Sequence, residues 1–477
     1  MEASTTLGCN HTFHTTCIKE WQTVQNTCPL CRALFILQST LSTKWSDWIR
    51  TQPTHLNELQ LRAVEHSVKN NFSIVTGAGG TGKTEVAALI GRYIAYVMKD
   101  ELYTPSVCVA PSGKATEVLK KRLGSGRDAF TISTIHRWIL MVTQGSRGVV
   151  PFLFVDEASM VDLWTTWHLL QTACNIGVQR IVLFGDPQQL APIDGRGTIL
   201  DAFVMNHSSV VIPLVTNYRS EEGLLTLLGN IRSVADGSGQ RIHREWFETS
   251  NSVLEIVPNH NPSVLYATIL RHLPGLDPVT TRVIASTNAP LIKPTLESNT
   301  SERESFLLEM YRFFNPRVSE RKSNVPFYVG DLVRSTMNLT ISTSLKDGGR
   351  MFELVVTNGS EGIVSSVEPL SIVFHGGYKL TWEKDSEKNV RDLLDTLECG
   401  FLSSIHKFQG SEAKTVIAVF TGKFVPHNTI QLLYTAVSRS QQRLILIMEQ
   451  QNIDLYCMNP GHVIRNTGFN TRVRNSL

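Results

Sequence analysis

Short, almost continuously apolar runs alternate with helix-like stretches along residues 55–207. A strand that is covered on both faces has a continuous apolar run, and strands that alternate with helices form a parallel sheet. The runs of this first set are Ser73–Thr76, Val107–Ala110, Phe152–Val155 and Arg180–Phe184. A later set predicts a second α/β domain and comprises Val210–Val215, Val283–Ser286, Thr415–Phe420 and Leu444–Met448.

The remaining segments have patterns of their own. Residues 330–395 contain Gly-Asp, Asn-Gly and several β-branched runs, which predict a small inserted β unit. Residues 1–35 are rich in cysteine and histidine. We therefore divide the chain into a metal-binding head (1–35), a linker (36–54), a first α/β domain (55–207), a second domain in two parts (208–329 and 396–457) around the insert (330–395), and a basic tail (458–477).

Composition narrows the class of protein. The 477 residues are 42% hydrophobic, which suffices for two or three cores, and a formal net charge of +3 does not by itself indicate a nucleic-acid partner. Neither an apolar leader nor a membrane-length apolar stretch is found, so we expect an intracellular protein of the nucleus or cytoplasm, with no membrane partner. Four of the eight cysteines lie in the first 31 residues, which in such a compartment favours zinc over disulfides.

A glycine-rich octapeptide, GAGGTGKT at residues 77–84, lies between an apolar strand and a predicted helix over Glu85–Met98. In this context the pattern predicts a phosphate-binding loop, because glycines let backbone N–H groups curl around phosphate oxygens at a helix N-terminus. Lys83 would reach the outer phosphates and Thr84 would bind Mg²⁺. The alternative is a glycine-rich turn that precedes Lys-Thr by chance. The loop residues are Gly77, Ala78, Gly79, Gly80, Thr81, Gly82, Lys83 and Thr84.

Two acids and a glutamine follow the next two strands. Asp156 and Glu157 come directly after Phe152–Val155, where Mg²⁺ needs a ligand and an attacking water needs a base, so we assign Asp156 to the metal and Glu157 to the base. The alternative is a pair of acids that cap a helix starting near Met160. Gln189 can hydrogen-bond the γ-phosphate or its water. Phosphoryl transfer also needs positive charge, for which Arg219 and Arg439 are candidates.

Together these segments resemble the motifs of the superfamily 1 helicases, in the RecD-like, 5′-to-3′ DNA branch. The resemblance runs in family order over residues 55–450. It includes LNELQ (56–60) with Gln60 as the adenine reader, GAGGTGKT, APSGKA (110–115), TIHR (134–137), VDEASM (155–160), GDPQQLAPI (185–193), NYR (217–219), HKFQGSE (406–412) with Gly410, and LLYTAVSRS (432–440).

The resemblance implies two RecA-like motor domains that hydrolyse ATP with Mg²⁺ in the cleft between them, and a small β-barrel as the insert. It also implies partners: single-stranded DNA and duplex junctions, as in DNA replication, repair or recombination. The residues expected to contact DNA are Pro111, Ser112, Lys114, His136 and His406. The family places a strand-separating hairpin between motifs where this chain has only residues 139–150, so translocation without unwinding stays open.

The head has dense zinc-ligand spacing, and its run GCNHTFHTTCIKEW…CPLCR resembles the last three quarters of a RING finger. The alternative is a set of unliganded thiols and imidazoles. The resemblance assigns one complete Zn²⁺ site to Cys9, His11, Cys28 and Cys31, and half of a second site to His14 and Cys17. The opening Cys-x₂-Cys of a RING is absent before Cys9. In active RING ligases, positions matching Trp21, Pro29 and Arg32 face a ubiquitin-conjugating enzyme.

Three functions therefore stay open on sequence. The leading hypothesis is an ATP-dependent DNA helicase or translocase moving 5′ to 3′. A RING-type ubiquitin ligase that its motor domains deliver to DNA is the second, and a superfamily 1 RNA helicase is the third. Strong salt dependence of binding is expected for either nucleic acid and does not separate them. The sequence leaves the oligomeric state open.

Overall fold

The computed structural model describes residues 4–6, 12–24, 45–52, 55–97, 105–123, 130–144, 150–192, 197–206, 208–218, 220–235, 241–286, 300–318, 327–344, 350–374, 379–382, 396–422 and 429–458. These residues form two compact units. The first holds those of Met1–Pro187 and Ala191–Tyr218, and the second holds those of Gln188–Leu190 and Arg219–Val463.

The first unit is built on a six-stranded parallel sheet in the order β5-β4-β6-β7-β3-β8. Its strands are β3 (Phe72–Gly77), β4 (Ser106–Ala110), β5 (Phe130–Thr134), β6 (Phe152–Val155), β7 (Arg180–Gly185) and β8 (Val211–Leu214). Its helices are α2 (Glu58–Lys69), α3 (Lys83–Val97), α4 (Gly113–Leu123), α5 (Ile135–Thr143), α6 (Leu163–Asn175) and α7 (Ile199–Asn206), with 3₁₀ turns at Ala158–Met160 and Ser208–Val210. The alternation of strand and helix confirms the predicted α/β class.

Helix α3 buries one apolar face on this sheet, because Val86, Leu89, Ile90 and Tyr93 recur at helical spacing and have almost no exposed surface. Residues 45–50 form a further helix whose Trp45 and Trp48 rings lie 5.2 and 5.0 Å from the Tyr93 ring. Aromatic pairs of this kind contribute about 0.5–1.5 kcal/mol each beyond the buried area. The segment predicted as a linker (36–54) therefore supplies core side chains to the first unit.

Strand β8 corrects a second expectation. The run Val210–Val215 is apolar and was assigned to the second domain, with a boundary at residue 207. In the structure Val211–Leu214 pairs in parallel with Ile74–Gly77 of β3, and the first unit continues to Tyr218. The reason is that an apolar strand pattern indicates burial but does not identify the sheet in which the strand pairs.

The second unit contains a five-stranded parallel sheet in the order β18-β10-β19-β20-β9. The strands are β9 (Ser252–Val257), β10 (Thr281–Ala285), β18 (Leu402–Ser404), β19 (Ala413–Phe420) and β20 (Ser440–Glu449). The helices are α8 (Glu222–Ala235), α9 (Pro262–His272), α10 (Thr300–Phe314), α11 (Ile430–Val437) and α12 (Gln450–Met458), with a 3₁₀ turn at Arg244–Phe247. Separate apolar clusters cover the two faces of the sheet.

Between these elements lies an antiparallel sheet in the order β16-β15-β14-β11-β17, together with a hairpin β12-β13. Its strands are β11 (Leu332–Ser335), β12 (Leu339–Ser344), β13 (Arg350–Val356), β14 (Glu361–Val367), β15 (Leu370–Phe374), β16 (Lys379–Trp382) and β17 (Leu397–Cys399). Arg334 is 2% exposed and donates to Glu361 Oε1 at 3.1 Å and to Gly400 O at 2.9 Å. Both bonds are made by Nη2, and pairing with a carboxylate and a carbonyl offsets part of the cost of burying the guanidinium.

At the N-terminal end, β1 (Ser4–Thr6) pairs antiparallel with β2 (Thr12–His14), and α1 (Thr15–Val24) follows. His14 and Cys17 belong to these elements, whereas the predicted ligands Cys9, His11, Cys28 and Cys31 lie outside the described residues. Within the described part of the chain, no helix combines the length and the apolar character that crossing a membrane requires.

Candidate active site

The phosphate loop follows β3 and leads into α3, and its glycines are required by its geometry. Gly80 and Gly82 have φ values of +88° and +85°, which side chains other than glycine rarely adopt. A Cβ at Gly77 would lie 2.5 Å from Thr81 Oγ1, and one at Gly82 would lie 2.2 Å from Gln60 Nε2. The loop thus forms a tight cradle of main chain that side chains would fill.

Lys83 reaches back over this cradle. Its Nζ donates to Gly77 O at 2.6 Å and to Ala78 O at 3.0 Å, so the ammonium lies at the start of the loop. Thr84 follows it in the first turn of α3 and is half-buried. A cation and a hydroxyl at a helix N-terminus, next to the main chain of a glycine-rich loop, suit a polyphosphate and its metal ion.

Gln60 lies beneath the loop. It is 3% exposed, and its Nε2 donates to Thr81 O at 2.9 Å. Its Oε1 accepts from the Asn57 backbone N–H at 2.9 Å, while Asn57 Oδ1 accepts from the Gln60 N–H at 2.8 Å, which completes a capping box at the start of α2. The structure therefore shows Gln60 holding the loop, and its reading of adenine stays a prediction.

Asp156 and Glu157 lie at the carboxyl end of β6. The Asp156 N–H donates to Val109 O of the neighbouring strand at 2.9 Å, and the Glu157 N–H donates to Asp156 Oδ1 at 3.0 Å. Glu157 has φ +51°, a left-handed conformation that is costly for a residue with a side chain. The bend it makes after the strand turns the chain into the 3₁₀ turn Ala158–Met160.

The electrostatics of this pair favour a bound cation. Burial and, to a smaller extent, the neighbouring Glu157 carboxylate raise the pKa of Asp156 to about 6, with Lys83 offsetting part of their effect. A carboxyl group whose charged form is disfavoured in this way is stabilised as a carboxylate when a divalent cation binds it. The cradle, Lys83, Thr84 and Asp156 together fit a nucleoside triphosphate with Mg²⁺.

In the second unit, Arg439 follows the C-cap of α11 and is 5% exposed, and its guanidinium is hydrogen-bonded on three nitrogens. Its Nε donates to Thr435 O at 3.0 Å, its Nη1 to Ser411 O at 3.3 Å and its Nη2 to Ser438 Oγ at 2.9 Å. We call this arrangement the arginine pocket, comprising Arg439 with Thr435, Ser438 and Ser411. Gly410 adjoins it with φ +73°, which requires glycine.

The segment Gln188–Leu190 also belongs to the second unit. The Leu190 N–H donates to Thr435 Oγ1 at 3.0 Å, and Gln409 Nε2 donates to Leu190 O at 3.2 Å. Gln189, the residue before Leu190, is 2% exposed. Thr435 therefore holds Arg439 with its carbonyl and Leu190 with its hydroxyl. Sequence reasoning missed Thr435 and Gln409, although both lie within motifs that it identified.

The residues predicted to contact DNA lie at carboxyl ends of strands. Pro111, Ser112 and Lys114 follow β4, and His136 follows its neighbour β5 after one residue, so these four lie at the same edge of the first sheet. His136 is exposed. His406 follows β18 in the second sheet and is half-buried. Their contacts with DNA stay predictions.

Two residues next to Arg219 contact the loop, although Arg219 itself lies outside the described residues. Asn217 Nδ2 donates to Gly79 O at 2.7 Å, and the Tyr218 N–H donates to Gly80 O at 3.0 Å. Sequence reasoning identified this tripeptide for its arginine and missed the other two. The motif already contained both residues, but nothing in the sequence indicated that they bind carbonyls of the phosphate loop.

Fold and site together define a P-loop nucleoside-triphosphate-binding protein with two parallel-sheet units. Residues 55–244 match the model of an AAA domain, residues 400–447 that of a UvrD-like helicase C-terminal domain, and residues 3–32 that of a RING-H2 zinc finger domain. By these matches and by the relatives below, the chain is similar to the RecD-like superfamily 1 helicases, and residues 3–32 are similar to a RING-type segment.

Three relatives illustrate the likeness. The ATP-dependent RecD2 DNA helicase of Deinococcus radiodurans is 26% identical over 405 residues, which cover 81% of this chain and 48% of that protein. The RecBCD enzyme subunit RecD of Mycobacterium tuberculosis is 24% identical over 466 residues, covering 91% and 76%. A crystal structure of Bacteroides Pif1 bound to ssDNA has 16% identity and a TM-score of 0.48, covering 88% of this chain and 97% of that one. The chain spans less than half the length of the first curated relatives that it matches.

Proposed function

We propose that this protein is an ATP-dependent DNA helicase or translocase that moves 5′ to 3′ on single-stranded DNA. The observation that carries the proposal is the phosphate loop facing a strand-end carboxylate pair in the first unit, with Lys83 on the loop and a raised pKa at Asp156. Relatives named as an ATP-dependent DNA helicase and as a RecBCD subunit support DNA as the substrate.

Each side chain of the site has a distinct role in the proposal. Bound Mg²⁺ supplies positive charge against the phosphate oxygens. Thr84 and Asp156 hold that ion, and Lys83 leaves its two loop carbonyls to meet the outer phosphates. Glu157 takes the proton of the attacking water. Its left-handed backbone conformation, with φ +51°, fixes where the carboxylate begins. Arg439 and Arg219 are the candidates that stabilise the charge developing on the γ-phosphate, and Gln189 the candidate that senses it.

The inserted antiparallel sheet and the N-terminal segment extend the proposal. We infer that residues 330–395 correspond to the small β-barrel of the family, since four strands of the antiparallel sheet and the hairpin lie there and the fifth strand, β17, follows at Leu397–Cys399. We further infer that Cys9, His11, Cys28 and Cys31 hold one Zn²⁺, while His14 and Cys17, three residues apart, are half of a second site. The match to a RING-H2 zinc finger supports the ligand types.

The same match keeps a second function in view. A RING-type segment binds a ubiquitin-conjugating enzyme when both of its metal sites are built, and Trp21 is 37% exposed on α1, where such a partner would need it. Mixing the protein with ubiquitin, its activating enzyme and a panel of conjugating enzymes tests this. Ubiquitin chains that vanish on Cys28→Ser would establish ligase activity, and their absence across the panel would remove it.

The main proposal is tested by the rate of ATP hydrolysis with and without single-stranded DNA or RNA, and by unwinding of duplexes that bear a 5′ or a 3′ tail. We expect stimulation by DNA and unwinding from the 5′ tail. Lys83→Ala should reduce hydrolysis to background, because the outer phosphates lose their cation. Hydrolysis at the wild-type rate in Lys83→Ala would exclude the assigned site, and stimulation by RNA in preference to DNA would exclude the assigned substrate.

A further inference from the structure

Every carbonyl oxygen from Gly77 to Thr81 accepts a hydrogen bond. Lys83 Nζ donates to the first two, and Thr81 Oγ1 also donates to Ala78 O at 2.9 Å. The next three receive donors from outside the loop. They are Asn217 Nδ2 to Gly79 O, the Tyr218 N–H to Gly80 O, and Gln60 Nε2 to Thr81 O, at 2.7, 3.0 and 2.9 Å.

This pattern has a geometric consequence for phosphate binding. In a trans peptide unit the C=O and the following N–H point in opposite directions. When the carbonyls of Gly79 and Thr81 are held outward, the N–H groups of Gly80 and Gly82 are directed into the cradle. The Thr81 N–H, which follows the Gly80 carbonyl, donates to Ala78 O at 3.3 Å and so closes the turn of the loop. The cradle is then preorganised for an anion, and binding does not carry the free-energy cost of ordering the loop.

Two of these donor residues, Tyr218 and Gln60, are joined by a chain of hydrogen bonds through Asn57. Tyr218 OH accepts from Asn57 Nδ2 at 2.6 Å, and Asn57 is the N-cap whose capping box holds Gln60. Gln60 in turn donates to Thr81 O. The bonds therefore run from Tyr218 through Asn57 and Gln60 to the far side of the loop. We call this set, Asn217 with Tyr218, Asn57 and Gln60, the loop clamp.

We propose that Asn217 and Tyr218 are positioning residues for the nucleotide: they preorganise the phosphate loop through Gly79 and Gly80, and their contribution is to nucleotide affinity and not to the chemical step. The proposal rests on the proposed function as far as the loop binds ATP. The two residues contact the loop carbonyls on the side away from the cradle, so removing their donors leaves Lys83, Asp156 and Glu157 in place. A loss of affinity at unchanged turnover distinguishes this role from a catalytic one.

The first experiment measures the dissociation constants of Mg-ADP and of a non-hydrolysable Mg-ATP analogue by calorimetry, together with kcat and KM for ATP. Asn217→Ala should weaken both nucleotides about three- to tenfold, the effect of one lost hydrogen bond, and raise KM equally while kcat changes less than about twofold. Asn217→Asp should weaken nucleotide binding further, because a carboxylate both lacks the donor and places a negative charge against the Gly79 carbonyl oxygen. The matched control is Asn70→Ala, which loses an amide donor to the His66 carbonyl at 2.8 Å, at the far end of α2.

The second experiment tests whether the clamp acts as a unit. Tyr218→Phe removes the hydroxyl and keeps the ring and the N–H, and Asn57→Ser keeps a capping oxygen but cannot reach residue 218. Each should weaken nucleotide binding about two- to threefold, and the double variant should be no weaker than either single one. This arm decides the proposal even if Asn217 variants do not fold.

Two results would overturn the inference. One is a nucleotide affinity of Asn217→Ala equal to that of the wild type, together with additive losses of affinity from Asn57→Ser and Tyr218→Phe. The other is a fall in kcat at saturating ATP in Asn217→Ala with nucleotide affinity unchanged. Both leave the proposed function standing, since the wild-type protein still binds and hydrolyses ATP. Failure of the wild-type protein to bind any nucleotide would instead remove the proposed function and the clamp with it.

Discussion

The phosphate loop of the first unit and the arginine pocket of the second present their charges in opposite ways. In the loop the chemistry is carried by main-chain N–H groups, and side chains such as Gln60 and Asn217 hold them in direction. In the pocket the chemistry is carried by the Arg439 side chain, and main-chain oxygens of Thr435 and Ser411 hold it.

This difference decides where each region is vulnerable. The oxygens of Thr435 and Ser411 that accept from Arg439 belong to the main chain and persist whatever the side chain, whereas Ser438 accepts with its hydroxyl. Around Arg439, the pocket should therefore be more sensitive at Ser438 than at Ser411, and it should fail at Arg439 itself. The loop depends on the side chains of Gln60 and Asn217, which lie 21 and 138 residues from the carbonyls that they hold, and on glycines at fixed positions. It should therefore be weakened by substitution at many places and by a moderate amount at each.

Arg439→Ala should lower kcat for ATP hydrolysis by about 10³-fold with little change in KM, because a guanidinium that stabilises transition-state charge is worth about that factor or more. The measurement is steady-state hydrolysis with saturating DNA. Arg244→Ala is the control, since Arg244 lies in the same unit and forms an exposed ion pair with Asp454 at 2.8 Å. Near-normal turnover in Arg439→Ala would show that the pocket is structural.

Gly82→Ala should weaken nucleotide binding by about 10- to 100-fold, since the φ of +85° and the contact with Gln60 strain any side chain there by about 1–3 kcal/mol. Calorimetric titration with Mg-ADP measures it. Gly229→Ala in α8 is the counterpart: a Cβ there meets nothing within 4 Å, so the substitution should raise the free energy of unfolding by about 0.5–1 kcal/mol. If Gly82→Ala and Gly229→Ala changed nucleotide affinity equally, the cradle geometry would be contradicted.

Glu157→Gly should be more stable than Glu157→Gln by about 1 kcal/mol, because only glycine adopts the left-handed conformation without cost. Both variants lose the carboxylate, so both should lose hydrolysis, and their difference isolates the backbone. Urea denaturation of the two proteins side by side provides the comparison. If Glu157→Gln proved equally stable, the bend after β6 would not be strained.

The local parts of this molecule could be predicted from its sequence. The phosphate loop is one contiguous segment whose spacing sets its geometry, so Gly77 to Thr84 lie as the motif indicates. The same holds for Asp156 and Glu157, which the apolar run before them places at a strand end. The strands β5 and β9 were missed because their alternating polar positions, as in Phe130–Thr134, do not form a continuous apolar run.

The long-range parts could not be predicted in this way. Gln60 was assigned to adenine by motif, but its observed partner is Thr81 O, 21 residues away. Asn217 and Gly79 are 138 residues apart, and no local pattern pairs an amide with a particular carbonyl. Trp45 and Trp48 were assigned to a linker, because two tryptophans in a short segment do not indicate that they pack against Tyr93.

The hydrogen bond between Leu190 and Thr435 also has a consequence for how the protein is made. The two residues are 245 positions apart. A ribosome that adds about 5–20 residues per second needs on the order of 12–50 s to bring Thr435 into the chain after Leu190. During that time β8 can already complete the first sheet, whereas Gln188–Leu190 have no second unit to join. A newly made chain therefore presents Leu190, which is 8% exposed in the finished protein, to the surroundings until Thr435 has been made, and a chaperone that binds exposed apolar side chains during translation would find it there.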